Sequence, residues 1–168
     1  DLILSDFGAQ FVYVGSDGAS KLNVSTRVYD ASKAEETAGA FIPTARDDDF
    51  SAEGFSLIGI PVAPQFRSTL RIYDYDGTGG EVAFALFGDD ASEPFHFGVA
   101  SLHGTEWKMT TALLPVHPAI AQLDLSSLIP AGRYTRVRVI VAPQEKMKVW
   151  GFVSITNNQT SHVTIVSP

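Results

Sequence analysis

The chain contains no cysteine, which excludes a disulfide framework, a zinc knuckle and a thiol nucleophile. Charge is sparse as well. Asp, Glu, Lys and Arg together make up 18% of the residues, few for a protein built of salt-bridged helical faces. The charge leans negative, with a formal net of −7, and this disfavours nucleic acid and anionic membranes as partners. Methionine is rare, at 2 residues, as expected where strands rather than adaptable helices build the core. No apolar run approaches the roughly 20 residues needed to cross a bilayer, so membrane insertion is not expected. No signal peptide is visible and the chain starts at Asp1 without Met, which reads as a mature form, a cut-out domain or a proteolytic product. A cysteine-free chain is compatible with bacterial export, where the core alone supplies stability.

Apolar residues account for 45% of the chain, 11 of them Phe, and 168 residues suffice for one β-sandwich with a sizeable core. The organising stretch is FRSTLRIYDYDGTGGEVAFALF, Phe66 to Phe87. Leu70 and Ile72 fall on one side of its first arm, and Val82, Phe84 and Leu86 on one side of its second. Side chains alternate across a strand, so each arm has one face to bury. DYDGTGG between them has turn chemistry, and the stretch is read as a hairpin inside a larger sheet.

The rest of the chain follows the same alternation. Strand-like runs occur at Phe11–Val14, through KLNVSTRVYD, at FSLIGIPV from Phe55, at FHFGVASL from Phe95, at RYTRVRVIVAP, at VWGFVSIT and in the tail HVTIVSP. ASKAEETAGA, residues 31–40, has helix-forming residues but no apolar stripe and reads as a solvated loop or a single frayed turn. LDLSSLIPAG can hold a short helical turn capped by Asp124, and Asn157-Asn158 reads as the left-handed part of a turn. Eight to ten strands without βαβ alternation predict an all-β, antiparallel β-sandwich, jelly-roll or Ig-like, with little helix.

The start and the end of the chain echo each other. Val12 and Val14 fall on Val139 and Val141, and Val28 on Ile155, at a spacing of about 125 residues. Residues 1–43 then read as the closing hairpin and tail of a preceding repeat, packed on or swapped with the main domain, and 44–168 as one complete β-sandwich module.

The run from Phe41 through FRSTLRIYDYDGTGGEVAFALFG, together with the closing WGFVSITNNQTSHVTIVSP, resembles β-sandwich modules found in tandem in large secreted proteins of environmental bacteria. The likeness covers about residues 41–168 and rests on structural phrases: an F-R-[ST] strand, a Gly-rich turn and a Val-rich strand. It implies an exported sandwich, extracellular or at the cell surface, and brings no catalytic residues with it.

Chemistry-bearing clusters are few. Asp74 and Asp76, with Gly77 and Thr78, resemble a calcium loop, but the later Glu of an EF-hand is missing because Glu81 comes too soon. A plain turn explains the same residues, so no cofactor is required, with weak calcium candidates in Asp74 and Asp76, and a strand zinc or iron site would need His96, His103 and Glu106 to converge. Asp47–Asp49 would join a calcium site only if the fold brought them to Asp89 and Asp90. His96 and His103 are an odd number of residues apart and face opposite sides of a continuous strand. No G-x-S-x-G elbow is present, Glu81, Glu106 and Glu145 read as surface residues, and no catalytic residue is assigned. Tyr73, Tyr75, Trp107 and Trp150 could form an aromatic platform for a sugar ring, though Trp150 beside Phe152 also suits a core position. The expectation is therefore a non-catalytic structural or interaction module of an exported bacterial protein, a surface or filament assembly unit contacting other copies or neighbouring domains through edge strands. The alternative is a carbohydrate-binding module that takes polysaccharide on those aromatics.

Overall fold

The computed structural model describes residues 25–29, 39–103, 119–144 and 147–168. Ten strands follow in chain order: β1 (Thr26–Tyr29), β2 (Gly39–Ile42), β3 (Phe55–Pro61), β4 (Phe66–Asp74), β5 (Gly80–Gly88), β6 (His96–Leu102), β7 (Ala119–Asp124), β8 (Arg136–Pro143), β9 (Val149–Asn157) and β10 (Val163–Val166). They form two four-stranded antiparallel sheets, ordered β10-β9-β4-β7 and β3-β8-β5-β6, and a separate two-stranded sheet, β1-β2. The protein is an all-β sandwich, as the alternation predicts.

The alternating residues fill the space between the two large sheets. Leu70 and Ile72 of β4, Val82 and Leu86 of β5 and Val139 of β8 are all fully buried, and they pack into one cluster with Leu57, Ile60, Val149 and Val153. Burying each such side chain stabilises the fold by roughly 1.5–3 kcal/mol.

The central stretch is not a hairpin. β4 pairs with β7 and β9, whereas β5 pairs with β6 and β8, so the segment Tyr75–Gly79 carries the chain from one sheet to the other. Both arms do have the expected oily face, but the two faces meet across the core instead of lying side by side. The Asp74 side chain builds the crossing. Its carboxylate accepts hydrogen bonds from the Asp76 N–H at 3.3 Å, the Gly79 N–H at 3.1 Å and the Thr78 hydroxyl at 3.2 Å. Gly77, Gly79 and Gly80 there take positive φ values of 65°, 73° and 138°, which glycine alone adopts without strain. The same switching recurs along the chain. Between β3 and β10, only the β5–β6 and β9–β10 connections join strands that pair with each other.

Several edges are blunted. β3 carries a bulge, in which Ile58 and Gly59 together oppose Arg138. The end of β6 is tied to β7 by a bridge between His103 and Ile120. β10 is only four residues long, and β2 lies near it without joining its sheet.

Local expectations fared unevenly. Leu125–Ser127 forms a 3-10 turn, with the Asp124 carboxylate accepting from the Ser126 N–H at 3.0 Å. The turn after β9 uses Asn157 as a side-chain acceptor for Gln159 and Thr160, and its left-handed residue is Ser161, with φ 58°, not Asn157 or Asn158. The strand expected at Phe11–Val14 lies outside the described residues, as does the loop expected at 31–40 except for Gly39 and Ala40, which open strand β2 instead.

Candidate functional site

The outward face of the β4–β9 pair carries the most concentrated group of functional-type side chains. Cross-strand register places Tyr73 opposite Trp150 and Arg71 opposite Phe152, all pointing away from the core. Their rings make one cluster: Tyr73 lies 5.9 Å from Trp150 and 6.2 Å from Phe152, and Trp150 lies 5.7 Å from Phe152. Phe50 extends the cluster, with its centroid 6.3 Å from Trp150 and 5.4 Å from Tyr75 in an edge-to-face contact. Arg71 donates to the Ser154 hydroxyl at 2.9 Å and holds its guanidinium 5.7 Å from the Phe152 ring.

Three of the four expected aromatics, Tyr73, Tyr75 and Trp150, are therefore brought together, while Trp107 lies outside the described residues. They are not an open platform. Trp150 is 8% exposed and Phe152 2%, and only Tyr75, at 37%, faces solvent substantially. Trp150 is buried, but on the far side of its sheet from the main core. Sequence reasoning passed over Phe50, which sits in an irregular stretch just before β3, where no periodicity marks it.

Two phenols here titrate high. Burial pushes the Tyr73 hydroxyl above its ordinary range, opposed by the positive charge of Arg71. The Tyr75 hydroxyl is raised chiefly by its hydrogen bond to the Asp47 carboxylate, then by the charges of Asp47 and Asp76 and by slight desolvation. Asp47 belongs to a 3-10 turn, Asp47–Asp49, which the Arg46 N–H closes by donating to the Asp49 carboxylate at 2.7 Å.

The acidic residues do not assemble. Asp47–Asp49 lie beside Tyr75, at the end of the sandwich where β5 begins. Asp89 follows the other end of β5, about 30 Å away along a nine-residue strand. There Asp89 accepts from the Thr135 hydroxyl and the Arg136 N–H, both at 3.1 Å. Asp74 is fully buried and engaged in its own turn, and Asp76 is exposed. Among the described residues no group of three His, Asp or Glu side chains could hold a metal. His96 packs near Phe84, with ring centroids 5.8 Å apart, whereas His103 is exposed. Glu81 is exposed on the outer face of its sheet, and Glu106 and Glu145 lie outside the described residues.

One shallow depression, about 240 Å³, opens between Pro61–Phe66 and Ser126–Gly132. Its lining is apolar apart from Ser68 and Ser126, and none of it is titratable. Both serines are committed to the backbone: Ser68 donates its hydroxyl to the Pro61 carbonyl at 3.5 Å, and the Ser126 oxygen accepts from the Ser68 N–H at 3.0 Å. A hydroxyl without an adjacent base is not an activated nucleophile. No helix among the described residues is long and apolar enough to cross a membrane.

Compared with known proteins, the chain matches no family model, no curated protein and no solved structure.

Proposed function

We propose that this chain is a non-catalytic structural or interaction module of an exported protein, a spacer or assembly unit of a bacterial cell surface or filament. Its contacts to other copies or to neighbouring domains run through the β1–β2 hairpin and the sheet edges. The observation that carries this reading is that β1 and β2 form a sheet of their own, belonging to neither face of the sandwich. A two-stranded ribbon alone is marginal in water; this one approaches β10 and buries Ala40 but presents Phe41 at 65% exposure, with Arg27 5.7 Å from its ring. Such a ribbon gains stability by docking on a neighbour. β1–β2 and β9–β10 are both antiparallel pairs, in keeping with residues 1–43 as the closing part of a preceding repeat.

Light scattering coupled to size exclusion tests this on the full chain and its Phe41→Glu variant. The reading expects mass to rise with concentration for the parent and less so for the folded variant. A parent chain that stays monomeric throughout counts against it. Carbohydrate binding is the second reading, favoured only by the exposed ring of Tyr75 at the edge of the covered cluster. It requires glycan-array binding that Tyr75→Ala removes.

A further inference from the structure

The outward face of the β3-β8-β5-β6 sheet is open to solvent, with Phe97 and Val99 exposed, and the turn between β9 and β10 is open as well. Two neighbouring asparagines share the work of that turn unequally. Asn157 builds it. Its carboxamide oxygen accepts from the Gln159 N–H at 2.9 Å and the Thr160 N–H at 3.3 Å. Its N–H donates to the His162 carbonyl and its carbonyl accepts from the Ser161 N–H, both at 2.8 Å. Asn158 is held by its backbone alone, whose N–H donates to the Gln65 carbonyl at 2.8 Å. The Asn158 carboxamide makes no hydrogen bond to another described residue. Asn158, Gln159 and Thr160 are all exposed, and the Thr160 hydroxyl accepts only a long contact, 3.4 Å, from the His162 N–H.

A carboxamide that builds nothing in the fold, at the tip of a turn, is open to chemistry from outside. The three residues read N-x-T with no proline between, the acceptor pattern for oligosaccharide transfer to asparagine. Three letters recur by chance in many chains. What sets these apart is the context such a site needs: a solvent-facing turn, with the structural task taken by the asparagine next door. The same pattern at Asn23-Val24-Ser25 has its first two residues outside the described ones.

We propose that Asn158 is a site of N-linked glycosylation, its donor an oligosaccharide carried on a polyprenyl diphosphate. In the transfer, Nδ2 of Asn158 forms a bond to C1 of the first sugar as the bond from C1 to the diphosphate oxygen breaks. The polyprenyl diphosphate leaves, one amide proton passes to a base of the transferase, and nothing is oxidised or reduced. The inference rests on the exported setting proposed above, because such transferases act on chains crossing a membrane, but it makes no use of assembly through the β1–β2 ribbon. Once the chain has folded, the exposed turn leaves the glycan in solvent.

The full chain, translocated into membrane vesicles that hold a transferase requiring only N-x-[ST] and its polyprenyl-diphosphate oligosaccharide, tests this by intact mass and glycopeptide mapping. Asn158 should gain one oligosaccharide, and Asn158→Gln and Thr160→Ala should each abolish the gain. Asn157→Ala leaves the pattern intact and should keep the glycan, but should lower the Tm by about 4–8 °C through the two lost hydrogen bonds. Asn158→Gln should melt within about 2 °C of the parent, and the glycosylated chain within about 4 °C, because neither change reaches a buried group. Asn158 left bare while a peptide of residues 154–164 is modified in the same vesicles overturns the inference, since the chain then hides the site. Asn158 bare in both overturns it as well, since the pattern is then no acceptor. A glycosylated chain without a cooperative melt also overturns it. A chain that is modified yet stays monomeric in light scattering upholds this inference and counts against the assembly reading alone.

Discussion

Replacing Asp74 with alanine probes the crossing between the sheets at its most exacting point. Asp74 is fully buried at the end of β4, and its two oxygens accept from the Asp76 N–H, the Gly79 N–H and the Thr78 hydroxyl. At a net contribution of about 1 kcal/mol per hydrogen bond, the loss comes to about 3 kcal/mol. For a chain of this size that lowers the melting temperature by about 6–12 °C. Asp74→Asn keeps the shape and one acceptor oxygen but turns an amide toward existing donors, so it should fall between the parent and the alanine variant. Thermal and urea melts followed by circular dichroism measure both. A loss below about 1 kcal/mol in Asp74→Ala would refute the claim that this carboxylate builds the turn. Calcium at a few millimolar should leave the parent's melting temperature unchanged. If calcium raised it in the parent but not in Asp74→Ala, Asp74 would be a ligand and not a turn builder.

Three further outcomes follow from the packing and the phenols. Phe152→Ala should cost about 3–5 kcal/mol, because a 2% exposed ring is removed from a filled cluster, whereas Phe97→Ala, at 67% exposure, should stay within about 0.5 kcal/mol of the parent; equal losses would contradict the assignment of covered and open faces. Tyr75 has a raised pKa relative to its ordinary 10.0, so its contribution is fully present below the unfolded-state pKa and is lost as pH rises through the folded one. Melts at pH values from about 9 to 11.5 should show the parent losing stability more steeply than Tyr75→Phe, and identical slopes would remove the Asp47 contact from the account. Because most successive strands lie in different sheets, refolding should be slow, in the millisecond-to-second range typical of non-local β folds; microsecond refolding would contradict that topology.

What could be read from the chain was the face each strand buries; what could not was its neighbour. Leu70, Ile72, Val82, Phe84 and Leu86 announce themselves by alternation, and all are buried in the core. A period of two says which side of a strand meets the core and is silent about whether β4 and β5 lie edge to edge or face to face. DYDGTGG suits either arrangement, because Asp and Gly serve a crossing as well as a hairpin. The aromatic cluster was half legible. Alternation sets Tyr73 opposite Leu70 and Ile72, and Trp150 opposite Val149 and Val153, but their burial depends on Phe50, far off in the chain, packing on Trp150 and on β9 bringing Phe152 beside Tyr73. The open face with Phe97 and Val99 likewise emerges only when β6, β5 and β8 are set in register.

Cysteine pairing gives the sharpest test of the sheet switching on which the core, the covered cluster and the open face all depend. The chain has no cysteine of its own, so two introduced thiols report only on each other. Thr69 and Ser154 are cross-strand partners on β4 and β9, with Cα atoms about 4.5–5.5 Å apart as in any directly opposed antiparallel pair, within the Cα range of disulfides. Thr69 and Ala85 would be the partners had β4 and β5 formed a hairpin, but here they point outward from opposite sheets, more than about 10 Å apart. The sandwich predicts that Thr69→Cys with Ser154→Cys oxidises readily in the folded chain and Thr69→Cys with Ala85→Cys does not. Ready oxidation of the second pair, with the first left reduced, would contradict it.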